Sequence, residues 1–513
     1  MNCGNSGSEK MRQVTGLEQA YLALEDHTTS ATIASLALFD APTPGQSMPD
    51  EPFMRARLDE RLAQIPPFRK RIVAVPLGLD HSYLAECHRV DVGRHIRTIK
   101  LAAPGDERTL AAEISRIMST DLVTDGPLWE YTIIEGLADG GVAHLLRTHH
   151  ALADGTTMMR IWDALSDEPR LPRHEAPQQT LPEPLFGRTE MAARAALGAA
   201  RKGVKLVKFE YDLVKWAAGR RDEVGLLAAP GFAASLIPGK AGRGLTELVN
   251  ARLRERGAPE FSQYTKTYGP GPVAPINGRT SARRICVFDD VPFADVRELG
   301  KLAGTTINNV VVSVVAGGLR RFLEELGETP TEPIVVACPV SLWGDHVTDP
   351  WGNHVHMILA DLPVHVADPL ERLTQVSESL LAARTGLDNT PTHLLNDLSS
   401  LLPRDLYGLV VKIWTRMPDH LARPPWNVVV SNVRGPKQPD TINGVRVRGY
   451  FPVSFLSIGG GINISLQGYV DRFCVGIVGA PDKTGDLAPL TQYLRDAFDE
   501  LRAALEERGG HTD

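Results

Sequence analysis

The chain has 513 residues, 43% of them hydrophobic and 23% charged, with a formal net charge of −7. That length exceeds what one hydrophobic core usually organises, so two domains are expected. An ordinary globular composition with an acidic balance argues against a nucleic-acid partner, which would need a basic face. The five cysteines (Cys3, Cys87, Cys286, Cys338 and Cys474) are scattered and never form a C-x-x-C pair. They read as small hydrophobes in a reducing compartment, not as a disulfide framework or a zinc knuckle. The polar N-terminus lacks the apolar core of a secretory signal, and no run approaches the ~18 apolar residues of a membrane-spanning helix. A cytoplasmic location is expected, with attachment to the inner membrane or a lipid droplet left open.

In chain order, residues 14–167 read as mixed α/β. A helix is expected over 107–122, where Leu110, Ile114, Ile117 and Met118 recur at helical spacing. Strands are expected over 129–137 and 142–148, joined at Ala138-Asp139-Gly140-Gly141, a tight-hairpin signal. A helix then follows over 156–165, with Met158, Ile161, Trp162 and Leu165 on its apolar side. Proline-rich residues 169–184 read as a linker. A helical stretch follows over 188–221, where Lys202, Lys205, Lys208 and Lys215 are interleaved with Leu206, Leu213 and Trp216. A loop-like run at 268–279 closes this region. Beyond 282, helices are expected over 305–326, 369–383 and 487–505. Strands are expected over 333–340, 355–362, 427–431, 445–455, 462–466 and 473–478.

The chemical signal is His149-His150-Ala151-Leu152-Ala153-Asp154-Gly155, placed where an apolar strand ends and a helix begins. A strand end aims a side chain at a defined point, and the helix fixes the loop. Histidine suits alcohol acylation because it accepts and returns a proton near neutrality. Neighbours on extended backbone point to opposite sides, so His149 and His150 are expected to do different jobs. Asp154 has two readings: a carboxylate orienting the imidazole, or a structural anion that pairs an arginine and holds the loop. The short loop favours the second. Gly155 permits a tight turn or a close backbone approach. A metal site is not expected, since adjacent histidines followed by aspartate are poor ligand geometry.

These residues resemble the HHxxxDG motif of the bacterial wax ester synthase/diacylglycerol acyltransferase family. That family shares its motif and two-domain fold with chloramphenicol acetyltransferase-like, CoA-dependent acyltransferases and with peptide-synthetase condensation domains. Further segments narrow the likeness. Pro127-Leu128-Trp129 is similar to the family's PLW element, and Pro339-Val340-Ser341-Leu342 with Gly352-Asn353 resembles its PVS…GN stretch. Ser431-Asn432-Val433-Arg434-Gly435-Pro436 is similar to SNVPGP. The likeness runs over 17–505 and is weakest through the crossover.

The resemblance implies an α/β fold of two chloramphenicol acetyltransferase-like domains, at 1–167 and 281–513, joined by a helical crossover at 168–280. It implies His150 as general base, with Asp154 holding the geometry. The substrates would be acyl-CoA, as co-substrate and not as cofactor, and a lipid alcohol, either diacylglycerol or a long-chain alcohol. A different alcohol or amine acceptor, or a non-catalytic lipid-binding role, stays open. Two departures stand out: the family's Asn-Asp pair is Asn308-Asn309 here, and Arg434 replaces a proline. Asn308 and backbone amides are candidates for the oxyanion donor. Trp129 is equally a core aromatic or a substrate contact, and Asn308 equally a helix cap or a substrate contact. Ser431 and Asn432 read as turn chemistry between domains.

Overall fold

A computed structural model describes residues 11–25, 28–87, 89–122, 126–171, 271–328, 331–341, 351–389 and 423–510, with a few more between 187 and 251. Cys3, Leu342, most of the proline-rich linker, and Lys202, Lys205, Lys208 and Lys215 of the expected basic helix lie outside the described residues.

The first half opens with strand β1 (Met11–Gln13) and helix α1 (Gly16–Leu24). In α1, Thr15 and Glu18 satisfy each other's backbone N–H groups in a capping box. Next come β2 (Thr32–Phe39), α2 (Glu51–Arg61), β3 (Lys70–Val73), β4 (Tyr83–Glu86) and β5 (Ile96–Lys100). Helix α3 (Glu107–Met118) follows, capped by Asp106, with Leu110, Ile114, Ile117 and Met118 buried as their spacing requires. Strands β6 (Trp129–Glu135) and β7 (Val142–His149) pair antiparallel, and α4 (Gly155–Leu165) begins six residues after β7 ends. The hairpin turn has Gly136 and Gly140 at positive φ, and the Asp139 carboxylate accepts from the Gly141 N–H at 2.9 Å. The sequence thus locates strand, loop and helix around the motif.

The second half contains β8 (Ile285–Pro292), β9 (Ile334–Ser341), β10 (Val355–Leu362), β11 (Val428–Val433), β12 (Thr441–Ile442), β13 (Val445–Val453), β14 (Ile462–Tyr469) and β15 (Arg472–Gly479). Its longer helices are Ile307–Glu325, Pro369–Asn389 and Ala488–Gly510. Two six-stranded sheets result, ordered β12-β13-β2-β7-β6-β5 and β10-β9-β11-β14-β15-β8. Strands β12 and β13 belong by sequence to the 281–513 segment and by pairing to the first sheet. Val447 lies opposite Phe39, and Val453 opposite Ala34. The alternation Val445, Arg446, Val447, Arg448 marks a half-buried strand, but it carries no information on which sheet receives it.

Val445, Val447, Tyr450 and Val453 bury themselves in the first core beside Phe39, Trp129, Tyr131 and Trp162. The second core is built on the helix Ile307–Glu325, with Val310, Val312, Ala316, Leu319 and Phe322 against Val336, Ile464, Ile477 and Leu501. A buried polar cluster fastens the crossing strand: Asp440 accepts from the Tyr450 hydroxyl at 2.9 Å and pairs with Arg170, which also reaches Asp163. Cys286, Cys338 and Cys474 are buried, and burial pushes their thiols up to about 12. Cys87 is half-buried. No single helix among the described residues is long and apolar enough to cross a membrane.

Candidate active site

The motif loop is pinned where it leaves β7. The Leu128 carbonyl accepts from the His149 N–H at 3.0 Å and the Thr148 hydroxyl at 3.1 Å, and the Ala31 carbonyl accepts from the His150 N–H at 2.8 Å. Asp154 ends the loop as the N-cap of α4, its carboxylate accepting from the Thr157 N–H at 2.7 Å. Its other oxygen accepts from the His354 N–H at 3.0 Å.

That bond belongs to a clasp between the motif loop and residues 351–354, which lead into β10. The Gly352 carbonyl accepts from the Asp154 N–H at 3.3 Å and the Thr157 hydroxyl at 2.6 Å. Asn353 Nδ2 donates to the His150 carbonyl at 3.0 Å and stands 2.7 Å from His150 Nδ1. Gly352 has φ +106°, a conformation open to glycine and poorly open to other residues. Asp154 therefore uses both oxygens on backbone N–H groups, one from each half of the protein.

The His150 imidazole lies on this seam and keeps part of its surface exposed. Tyr21 of α1 stacks on it, with centroids 4.4 Å apart and planes within 3°. Phe455, just past β13, meets it edge-on at 5.3 Å. Desolvation in this setting holds the imidazole well below its ordinary 6.5. Its own carbonyl, the Asp154 charge and the Ala153 carbonyl pull the other way, favouring the imidazolium, while His149 opposes it. A neutral imidazole at neutral pH, beside groups that favour its protonated form, is suited to accepting a proton during a reaction.

His149 is buried and points elsewhere. Its Nδ1 accepts from the Ala151 N–H at 3.0 Å, which puts the ring proton on Nε2, 3.0 Å from the Glu25 carboxylate. The two histidines thus occupy different surroundings, as extended backbone dictates. Gly155 is a close approach: a Cβ there would lie 2.8 Å from Cγ2 of Val433 on β11. Pro127 and Leu128 are buried beneath the loop. Trp129 is 1% exposed, stacked between Phe68 and His95, with its indole N–H on the Phe68 carbonyl at 3.0 Å. It is a core aromatic, with no surface to offer a substrate.

Asn308 is half-buried in the first turn of the helix Ile307–Glu325, where Thr306 is the N-cap. Asn309 donates from its amide to Thr305 Oγ1 at 2.9 Å and Ser377 Oγ at 3.2 Å. The bonds and ring contacts of the His150 side chain go to Asn353, Tyr21 and Phe455, and not to Asn308. Ser431 and Asn432 differ from the turn expected of them. They extend β11, held opposite Ser465 and Leu466 of β14, and the chain leaves the strand only at the exposed Arg434. Among the described residues no group of three or more His, Cys, Asp or Glu side chains is arranged to hold a metal ion.

Tyr21, Phe455 and Asn353 escaped the sequence reading. Thr15-x-x-Glu18 was a legible start for α1. Gly352-Asn353 carried a resemblance but no chemistry. Nothing local could place Phe455 against a histidine some three hundred positions earlier.

Residues 14–311 match the family profile described as the wax ester synthase/diacylglycerol acyltransferase catalytic domain, and residues 351–502 match the WS/DGAT C-terminal domain. A Mycobacterium tuberculosis protein (strain CDC 1551 / Oshkosh), named "Putative diacyglycerol O-acyltransferase", is 31% identical over 97% of this chain and 98% of its own. The wax ester synthase/diacylglycerol acyltransferase from Marinobacter aquaeolei VT8 shares the fold at TM-score 0.62 and 21% identity, over 96% of this chain and 100% of that one. The first condensation domain of the CDA synthetase does so at TM-score 0.54 and 17% identity, over 97% of both chains. The chain belongs to the wax ester synthase/diacylglycerol acyltransferase family of acyltransferases.

Proposed function

We propose that this acyltransferase moves a long-chain acyl group from acyl-CoA to the hydroxyl of diacylglycerol or a long-chain alcohol, with His150 as general base. The observation that carries the reading is the His150 ring on the seam between the halves, anchored through Nδ1, with Nε2 left to meet a substrate. In this reading residues 1–167 carry the base, 281–513 supply the opposing wall, and 168–280 cross between them.

The transfer is direct. His150 takes the proton from the acceptor hydroxyl as its oxygen attacks the thioester carbonyl. The tetrahedral intermediate collapses with loss of CoA thiolate, which takes the proton back. The C–O bond formed replaces the C–S bond broken, and no acyl-enzyme is needed. Asp154, at the helix N-cap, acts by holding the loop and by adding negative charge near the imidazolium. Purified protein given a long-chain acyl-CoA should release CoA only when an alcohol is supplied. Ester products from a panel of diacylglycerol, long-chain alcohols and amines identify the acceptor. CoA release with none of them would overturn the reading.

Water-insoluble substrates need a route from a lipid phase, and the sequence at 188–221 offers one. Lys202, Lys205, Lys208 and Lys215 among Leu206, Leu213 and Trp216 suit a helix lying on an anionic membrane or droplet surface. Each such charge contributes about 1 kcal/mol near an anionic leaflet. Replacing the four lysines with glutamine should therefore cut co-flotation with anionic vesicles sharply, and added salt should do the same to the native protein. Unchanged flotation of the quadruple variant would remove this part of the proposal.

A further inference from the structure

The geometry points to Asn353 as a positioning residue for the catalytic base: supplied by the opposite half of the chain, it fixes the imidazole of His150 so that Nε2 faces the reacting atoms. The inference rests on the general-base reading of His150 and assigns the partner that makes that base productive.

Asn353 is buried, at 9% exposure, and every polar atom of its side chain is engaged. Its Oδ1 accepts from the Val355 N–H at 3.2 Å, at the start of β10. Its Nδ2 lies 2.7 Å from His150 Nδ1, donates to the His150 carbonyl at 3.0 Å, and bonds the Tyr21 hydroxyl. An amide nitrogen has two hydrogens for these three neighbours, so the His150 and Tyr21 contacts compete. Turned about its Cβ–Cγ bond, the planar amide presents its oxygen to Nδ1 from the same position, and oxygen and nitrogen are nearly isosteric. With the oxygen at Nδ1, the ring proton sits on Nδ1 and Nε2 keeps its lone pair for the acceptor hydroxyl. Tyr21 holds the ring plane by stacking, and Phe455 closes its edge. Gly352, at φ +106°, turns the chain so that Asn353 enters the motif loop, and its carbonyl is tied to Thr157. The contact also makes productive geometry conditional on the two halves being docked.

The titratable groups around the ring are Tyr21 on α1, with His149 and Asp154 in the motif loop. Glu25 lies behind His149, and His354 follows Asn353 in the chain. A carboxylate at position 353 would add an anion directly at Nδ1. It would favour the imidazolium, so the base would be lost at a higher pH.

The experiment uses the full-length protein with a long-chain acyl-CoA and the acceptor that turns over. Asn353→Ala should lower kcat about 100-fold, as expected for a misplaced catalytic group, with KM for acyl-CoA changed less than about threefold. Asn353→Asp, close in size, should retain more activity and shift the acid limb of the kcat–pH profile upward by about one unit or more. Wild-type kcat in Asn353→Ala overturns the inference, and so does an unmoved acid limb in Asn353→Asp. A His150→Ala arm separates the two readings. If His150→Ala is inactive while both Asn353 variants behave as wild type, only the positioning role fails. If His150→Ala turns over normally, the general-base reading itself fails.

Discussion

His150→Ala should reduce ester formation by roughly 10²–10⁴-fold, the usual worth of general-base assistance, while the protein stays folded. Fold and chemistry separate here because the anchors of the loop are mostly not the imidazole. Leu128, Ala31, Gly352 and Asp154 hold the backbone of 149–157 through main-chain bonds that an alanine at 150 keeps. Only the ring's contacts with Asn353, Tyr21 and Phe455 are lost. The same site sets the pH dependence. Desolvation disfavours the imidazolium and holds His150 below 6.5, so the base stays neutral as pH falls through the usual histidine range. The acid limb of kcat/KM should have its midpoint below 6.5. A midpoint at or above that value, or near-normal turnover of a folded His150→Ala, would contradict the assignment.

Asp154→Ala should damage stability and activity together. Losing the N-cap of α4 costs about 0.5–2 kcal/mol. The substitution also strips the His354 N–H of its partner, at about 1–3 kcal/mol for a buried donor left unsatisfied. Melting temperature should fall, and so should turnover, because the bond from Asp154 to His354 is part of the clasp that carries Asn353 to the ring. Asp154→Asn keeps one oxygen for the cap and should retain most of the stability. It removes the negative charge that favours the imidazolium, so its residual activity separates electrostatic support from loop geometry. An Asp154→Ala protein with unchanged melting temperature and turnover would show that the clasp holds nothing of consequence.

How much of this was legible follows from the range of the interactions. Residues 129–165 could be read because their information is local. Two apolar runs flank a glycine turn, and Met158, Ile161, Trp162 and Leu165 fall on one face of α4. The motif drew attention to His150 because its residue types and its place after a strand are both local signals. Strand β13 was visible as an alternation, yet its seat beside β2 is set by tertiary pairing of Val447 with Phe39. Tyr21, Asn353 and Phe455 reach His150 from three distant segments, and no periodicity encodes such a meeting. Trp129 shows the converse: a motif residue whose role is packing, since Phe68 and His95 cover both faces of its ring. For Ser431 and Asn432, local turn propensity yielded to the parallel pairing with β14.

The most direct test of direct transfer by His150 is to follow CoA release and ester formation together, using purified protein, a long-chain acyl-CoA, and diacylglycerol or a long-chain alcohol. The account predicts one ester per CoA released, negligible release without an alcohol, and loss of both signals in His150→Ala. A burst of CoA without acceptor, leaving an acylated protein, would contradict it, as would undiminished ester formation in the variant.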